Sequence, residues 1–570
     1  MILALLLIPV HSGLSQGLII SPGASFIGTG GNIVLKGDMV NNGSLSNANN
    51  TIIFAGAAQS LGGTSPILFN NLTVASGSST TILTTGQTLS GILLSNGTLY
   101  AGGNITLLST ATQTALIDGS GNGEVYGDVT MQRFLSSGFG YKYFSSPFQG
   151  ATVNEFGDDM YLAASFPAFY KYDESRVSSG WVNYVNPAGV LNPLNGYAVN
   201  FGSDVAALTA DVTGVVNNGN LSRTMYNNNR TYTKGFNLAG NPYPSPIDWK
   251  ASSGWTKTNI DDALYFFSAS NTDQYGGNYS TLIGGIPSDG LVSKIIPSMQ
   301  GFFVHVKDDA NPVTGVLSMN NNVRVTNQSQ SFIKGDKGRS LLRFTASFSN
   351  NLGSPDYSVV YFDPKATSEF DGQLDALKLL NTDMGVPNVY SVTPEGTTIS
   401  IKALPYAIDT SYIVPLGLII YQAGDVIFRI CAIEGTFSEM RTSLFDKVTG
   451  KVQDLLNNQE YKISLNAGEF KNRFFLNMSN VITENPDSFP GPDLFNIYYS
   501  QGILHAEINN IQGAYGTLMI CNLLGQTLFI QRLYEEGYHE FSTNLKDGIY
   551  IAVFISGTKR SSKKIFIPNQ

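Results

Sequence analysis

At 570 residues the chain is long enough for three or more domains, each able to bury its own core. Its formal net charge of −9 argues against nucleic acid as a partner, because phosphate binding needs a basic face. With 60 glycines, 28 tyrosines and 33 phenylalanines against only 13% charged residues, the composition excludes a mainly helical protein and predicts an all-β fold of short strands and tight turns.

Residues 1–15 read as a signal peptide. Ile2 to Val10 is an apolar run, and Gly13-Leu14-Ser15 supplies small residues ahead of Gln16, although the usual basic start is missing. No other stretch approaches the length of a membrane span, so the mature chain is expected to have none.

Residues 16–131 are almost free of charge. Up to Gly123 only Lys36, Asp38 and Asp118 are charged, while Gly, Ser, Thr and Asn separate apolar triplets such as Ile33-Val34-Leu35, Ile52-Ile53-Phe54 and Ile105-Thr106-Leu107. Asn42-Gly43-Ser44-Leu45 leading to Asn50 is echoed by Asn96-Gly97-Thr98-Leu99 leading to Asn104. Stacked strand–turn units of this kind predict a β-solenoid with Asn and Thr ladders at its corners; the rival is a flattened sandwich.

Residues 132–325 contain a sharper repeat. Phe144-Ser145-Ser146-Pro147, Phe169-Tyr170-Lys171-Tyr172, Gly180-Trp181 and Gly196-Tyr197-Ala198-Val199-Asn200 recur in order as Ala239-Gly240-Asn241-Pro242, Leu264-Tyr265-Phe266-Phe267, Gly277-Asn278-Tyr279 and Gly301-Phe302-Phe303-Val304-His305. The offset is 95 residues for Pro147 with Pro242 and 105 for Gly196 with Gly301, so an insertion precedes the last strand. The expectation is a duplicated β domain.

Residues 335–480 alternate with period two, as in Tyr357 to Phe362 and Arg473 to Met478. This predicts a β-sandwich, with a short helix over Gln373 to Leu380. Pro486, Pro490 and Pro492 mark 481–493 as a stiff linker. Cys431 and Cys521 lie on opposite sides of it, so each is expected to be a separate buried thiol.

The last segment, 494–570, carries Gly516, a Leu524-Gly525-Gln526-Thr527 turn, Leu545-Lys546-Asp547-Gly548-Ile549-Tyr550 and a Lys563-Lys564-Ile565-Phe566-Ile567 end. In that order these residues resemble the type A C-terminal sorting domain of type IX secretion, with Cys521 where the family more often has an aromatic residue. The resemblance implies an Ig-like β-sandwich in which Gly516, Leu524, Gly525, Gln526, Leu545, Gly548, Tyr550, Lys563 and Lys564 form the sorting signal. It also implies the type IX secretion machinery as partner and a location outside the cell or on the outer-membrane surface. The segments around Lys234 to Trp249 and Pro297 to Val306 are similar to a module of large type IX cargo proteins.

Catalytic residue types are scarce. Beyond the signal segment only His305, His505 and His539 remain, and His305 stands where the first repeat has Asn200, which predicts a polar strand face. Asp158-Asp159, Asp261-Asp262 and Asp308-Asp309 are neighbours that a strand would point to opposite faces. Asp118 to Gly123 resembles a calcium loop but lacks its closing glutamate, since Val129 stands there. No catalytic residue, metal or cofactor is therefore predicted. Trp181, Trp249 and Trp255 form a candidate platform for stacking on sugars. The function expected is that of an exported, non-catalytic adhesive or structural surface protein. The alternatives are a carbohydrate-binding accessory protein, with surface polysaccharide or another cell-surface component as partner, or a carboxylate-dependent glycoside hydrolase.

Overall fold

The computed structural model describes residues 17–46, 49–164, 168–328, 339–406, 411–456, 459–479, 495–500, 503–508, 511, 515–522, 526–543, 545–557 and 559–567. The expected signal peptide and the linker 481–493 lie outside the described residues. The protein is all-β: among the described residues the regular elements are strands, with three short 3-10 helices between them. Where a short helix was expected at 373–380 there is a turn and a two-residue strand, Ala376–Leu377, because these residues pair with Thr398–Leu404.

The N-terminal region is a β-solenoid. Its strands run parallel, with six stacked on one face from Leu18–Ile20 to Glu124–Tyr126 and five on another. Ile52 sits beside Leu72 and Leu72 beside Leu93, so the apolar triplets form continuous columns. Each is buried, and each such side chain stabilises by roughly 1.5–3 kcal/mol. Uncharged amides complete the corners. Gln59 Nε2 donates to the carbonyls of Leu35 (3.1 Å) and Gly37 (2.6 Å), and Asn104 Nδ2 to that of Ile82 (2.7 Å). Buried backbone oxygens are thus paired without charge, which is how a chain with so few ionisable residues can build this core. The solenoid ends on Asp128–Leu135, which pairs parallel with Ile105–Leu107 and antiparallel with Leu208–Val216. The boundary drawn at residue 131 falls inside that strand. Pairing on both sides leaves no open edge there.

The duplicated region forms two antiparallel sheets with one strand order. In the first, Tyr141–Phe144, Tyr197–Asn200, Phe169–Tyr172 and Trp181–Asn183 are neighbours in turn; in the second, Phe236–Gly240, Gly301–His305, Leu264–Ala269 and Gly277–Ile283. The repeats also exchange equivalent contacts: Phe144 bridges Gln300, and Ala239 bridges Asn195. This reciprocity explains the glycine that follows each bridge residue. A Cβ on Gly196 would lie 2.4 Å from the Ala239 carbonyl, and one on Gly301 would lie 3.0 Å from that of Phe144. A shared core of Tyr143, Ala198, Leu238, Tyr265 and Phe303 lies between the sheets. The opposite faces join the solenoid core in the first repeat and a separate cluster around Trp249 and Phe302 in the second.

In the third region the strand order runs Ser411–Ile420, Asn388–Val392, Thr398–Leu404, Asp356–Phe362, Leu341–Phe348, Gly424–Glu434, Tyr461–Leu465. Two lysines are buried in it against aspartates: Lys378 Nζ lies 2.6 Å from Asp356, and Lys402 Nζ lies 3.0 Å from Asp375. Backbone N–H groups of Val389 and Ala403 complete those carboxylates.

A second compact unit comprises residues 409–413, 441–454 and 473–570. In it Arg441–Asp446 pairs with Lys451–Asp454. Its C-terminal part is a sandwich of a three-stranded and a four-stranded sheet closed over Phe495, Leu504, Leu518, Ile520 and Phe554. Among the described residues no helix is long and apolar enough to cross a membrane.

Candidate functional site

A pocket of about 360 Å³ opens at the margin of the core shared by the two repeats. The first repeat contributes Tyr141, Tyr143, Tyr170, Ser179, Trp181 and Ala198; the second contributes Phe267, Tyr275 and Tyr279; Thr382 of the third region completes the wall. Strand register makes the walls pseudo-equivalent, since Trp181 pairs with Tyr172 as Tyr279 pairs with Phe267. Tyr143 stacks on Phe267 at 4.8 Å between ring centres, and Trp181 lies 5.6 Å from Tyr143.

The polar groups are hydroxyls. Tyr143 and Tyr279 share a 2.7 Å hydrogen bond, and Thr382 Oγ1 accepts from Gly277 N at 3.0 Å, fixing the loop below Tyr275. Burial raises the pKa of both Tyr143 and Tyr279 well above the ordinary phenol value, so they remain neutral hydrogen-bonding groups. The lining holds no carboxylate, amine, guanidinium, imidazole or thiol. Such a site can stack and hydrogen-bond a neutral ligand. The cavity exists because Ala198 occupies the position at which the second repeat places Phe303.

The three tryptophans do not share a platform. Only Trp181 lines the pocket. Trp249 is 1% exposed, stacks edge-on against Trp255 at 4.8 Å, and is covered by Lys257 Nζ, 3.5 Å from its ring centre. Its indole N–H donates to the Asp262 carbonyl, and that of Trp255 to the Asp248 carbonyl. Burial lowers the Lys257 pKa to about 8, with Asp262 opposing the shift. Trp249 is thus a core residue and Trp255 a half-buried one packed against it, and each indole N–H has a backbone acceptor.

His305 is also placed differently from expectation. It does not sit on a solvated face: it is 1% exposed, with Nδ1 2.6 Å from Asp261 Oδ2. Asn200, its counterpart, is equally inside, accepting from Gly202 N at 2.9 Å. The neighbouring acids lie in turns, bends and loops rather than on strands, and their side chains still take separate partners. Asp262 pairs with Lys250 and Lys257, and Asp308 accepts from Asn227 Nδ2. Asp118 Oδ1 takes the N–H of Ser120, closing a turn. Cys431 is exposed, contrary to the buried thiol expected, and Cys521 is half-buried. Its strand slips register opposite Arg343 and Phe344, and the resulting bulge leaves Cys431 unpaired and turned outward.

Of the sorting residues, Leu524 and Gly525 lie outside the described residues. Gly516 packs against the Phe554 ring, where a Cβ would come within 2.1 Å. Gln526 closes a turn with Asn522, and Leu545 packs against the sandwich core. Gly548 opens the strand Gly548–Ser556, in which Tyr550 is buried and donates to the Lys546 carbonyl. Lys563 reaches Asn496 Oδ1, and Lys564 pairs with Ile551.

A domain of unknown function, DUF8693, matches residues 42–478, a span that includes the whole pocket. The chain belongs to that family. No curated protein matches it. Among solved structures, the BSP domain of a biofilm-associated protein aligns at 10% identity over 77% of this chain and 92% of its own, with a TM-score of 0.14, too slight a likeness to carry any argument.

Proposed function

We propose that this protein is exported to the cell surface, where it acts without catalysis as an adhesive component, and that it grips its target through the aromatic pocket between the repeats. One observation carries the reading: an uncharged, hydroxyl-bearing aromatic cavity of about 360 Å³, within the usual ~300–1,000 Å³ of ligand sites. Neutral saccharides present apolar ring faces for Trp181 and the tyrosines and hydroxyls for Tyr143 and Tyr279, which favours the carbohydrate-binding form of the function over a purely structural one. A glycoside hydrolase would need two facing carboxyl groups, and this lining offers none.

The order of motifs from Gly516 to Lys564 supports delivery by the type IX secretion machinery. Calorimetric titration of the full chain with a panel of neutral oligosaccharides tests the binding site. Binding that disappears in Trp181→Ala is expected; absence of binding by every neutral sugar, with unchanged cell adhesion of that variant, would refute the site. Deleting 494–570 tests export and should leave folded protein in the periplasm.

A further inference from the structure

The third region holds a second cavity, of about 390 Å³, whose chemistry is opposite to that of the aromatic pocket. Arg343, Thr345 and Ser347 project from alternate positions of one strand, Tyr357 lies opposite Thr345, and Arg429 and Cys431 come from the bulged strand beside them. Arg343 is 7% exposed. Its guanidinium donates to two backbone carbonyls, from Nε to Ser288 at 2.8 Å and from Nη2 to Pro287 at 2.9 Å. Among the described residues no carboxylate lies within ion-pair distance of it. A buried cation held only by neutral acceptors is uncommon, because the cost of burying a charge is ordinarily met by a counter-ion.

Two features make this cavity receptive. Arg429 adds a second guanidinium, already ion-paired to Glu460 through Nη2 and through Nε at 2.9 Å, and Ser347 and Tyr357 add hydroxyls. Asp289 also lines the cavity, between Ser288 and Gly290 that both approach Arg343, and is already engaged by Ser280 and by the N–H of Leu291. We infer that this cavity binds a small oxyanion, a carboxylate or a sulfate such as acidic glycans carry, with Arg343 as its buried counter-ion. On a chain of net charge −9 the long-range field repels anions, so selection there depends on these local donors.

Cys431 reports on the cavity without any mutation. In the full-length protein, iodoacetate and iodoacetamide alkylate its thiolate by the same displacement: a sulfur–carbon bond forms, the carbon–iodine bond breaks, and iodide leaves. Peptide mapping measures both rates, with the urea-unfolded chain as reference. Although Cys431 is solvent-exposed, desolvation by the protein around it raises its pKa and Arg343 opposes the shift, so both reagents are compared at one alkaline pH. The inference expects the iodoacetate-to-iodoacetamide ratio to rise several-fold on folding, and sodium glucuronate or sodium sulfate, but not glucose at equal ionic strength, to slow the labelling. Protection by glucuronate alone would identify a carboxylate ligand, and by sulfate alone a sulfate. Asp289→Asn should strengthen the protection, because it removes the one negative charge on the wall. A ratio unchanged from the unfolded chain, or protection by glucose equal to that by the salts, would overturn it.

Discussion

The last strand of the first repeat carries Ala198 and Asn200; at the same places the second carries Phe303 and His305. One backbone arrangement therefore holds two different interiors. In the second repeat Phe303 fills the shared core, and His305 is locked against Asp261. In the first, the missing ring leaves space that Trp181, Tyr170 and Tyr141 line. Duplication supplies the scaffold twice, and side-chain size decides which copy keeps an opening. A pocket can thus arise by deletion of bulk from one copy while the other maintains the fold.

The strongest test of equivalence lies on the faces turned away from the shared core. Tyr197 and Phe302 follow the two glycines and are both buried, at 2% and 0% exposure. Truncating either to Ala should cost about 3–5 kcal/mol in urea melts. A large cost for one and a negligible cost for the other would mean that the repeats no longer share packing. A smaller loss is expected where they differ in polarity. His305→Asn installs the residue of the first repeat and weakens the contact to Asp261, which should cost about 1–3 kcal/mol while leaving sugar binding unchanged. A parallel loss of binding would couple that buried pair to the pocket.

Making the copies more alike should close the pocket. Ala198→Phe places the ring of the second repeat in the open space, so affinity for a neutral oligosaccharide should fall at least tenfold, about 1.4 kcal/mol, with little change in melting temperature. Undiminished affinity would move the binding site elsewhere.

Much of this scaffold was legible in the sequence, and the pocket was not. Charge-free triplets identify the solenoid because the period of the pattern matches a local structural unit, as Ile52, Leu72 and Leu93 illustrate. The repeat is legible because Gly196 and Gly301 answer to a backbone approach that permits no side chain. The pocket instead collects residues from Tyr141 to Thr382, brought together only by sheet packing. Trp181, Trp249 and Trp255 look alike as letters; the difference is that Trp249 and Trp255 pack on each other and give their indole N–H groups to backbone carbonyls. Arg343 could not be identified either, since its distinction is a missing counter-charge.

The smallest predicted effect separates the repeats by their acids. In the second repeat Asp262 has Lys250 and Lys257 beside it, whereas in the first Asp159 has Asp158 and Asp211 as neighbours. Burial, reinforced by those two carboxylates, raises the Asp159 pKa to about 7. An acid whose pKa is higher folded than unfolded binds its proton more tightly in the folded state. Its contribution to stability is complete below the unfolded value near 4 and is lost as pH rises through about 7. Asp159 is only partly buried, so solvent screening should keep the change under about 1 kcal/mol. Urea midpoints measured from pH 4 to pH 8 should therefore decline slightly, and Asp159→Asn should flatten the decline by raising the midpoint at pH 8 alone. If the variant were equally stabilised at pH 4, ionisation of Asp159 would not be the cause, and the two repeats would not differ electrostatically in the way their neighbouring side chains indicate.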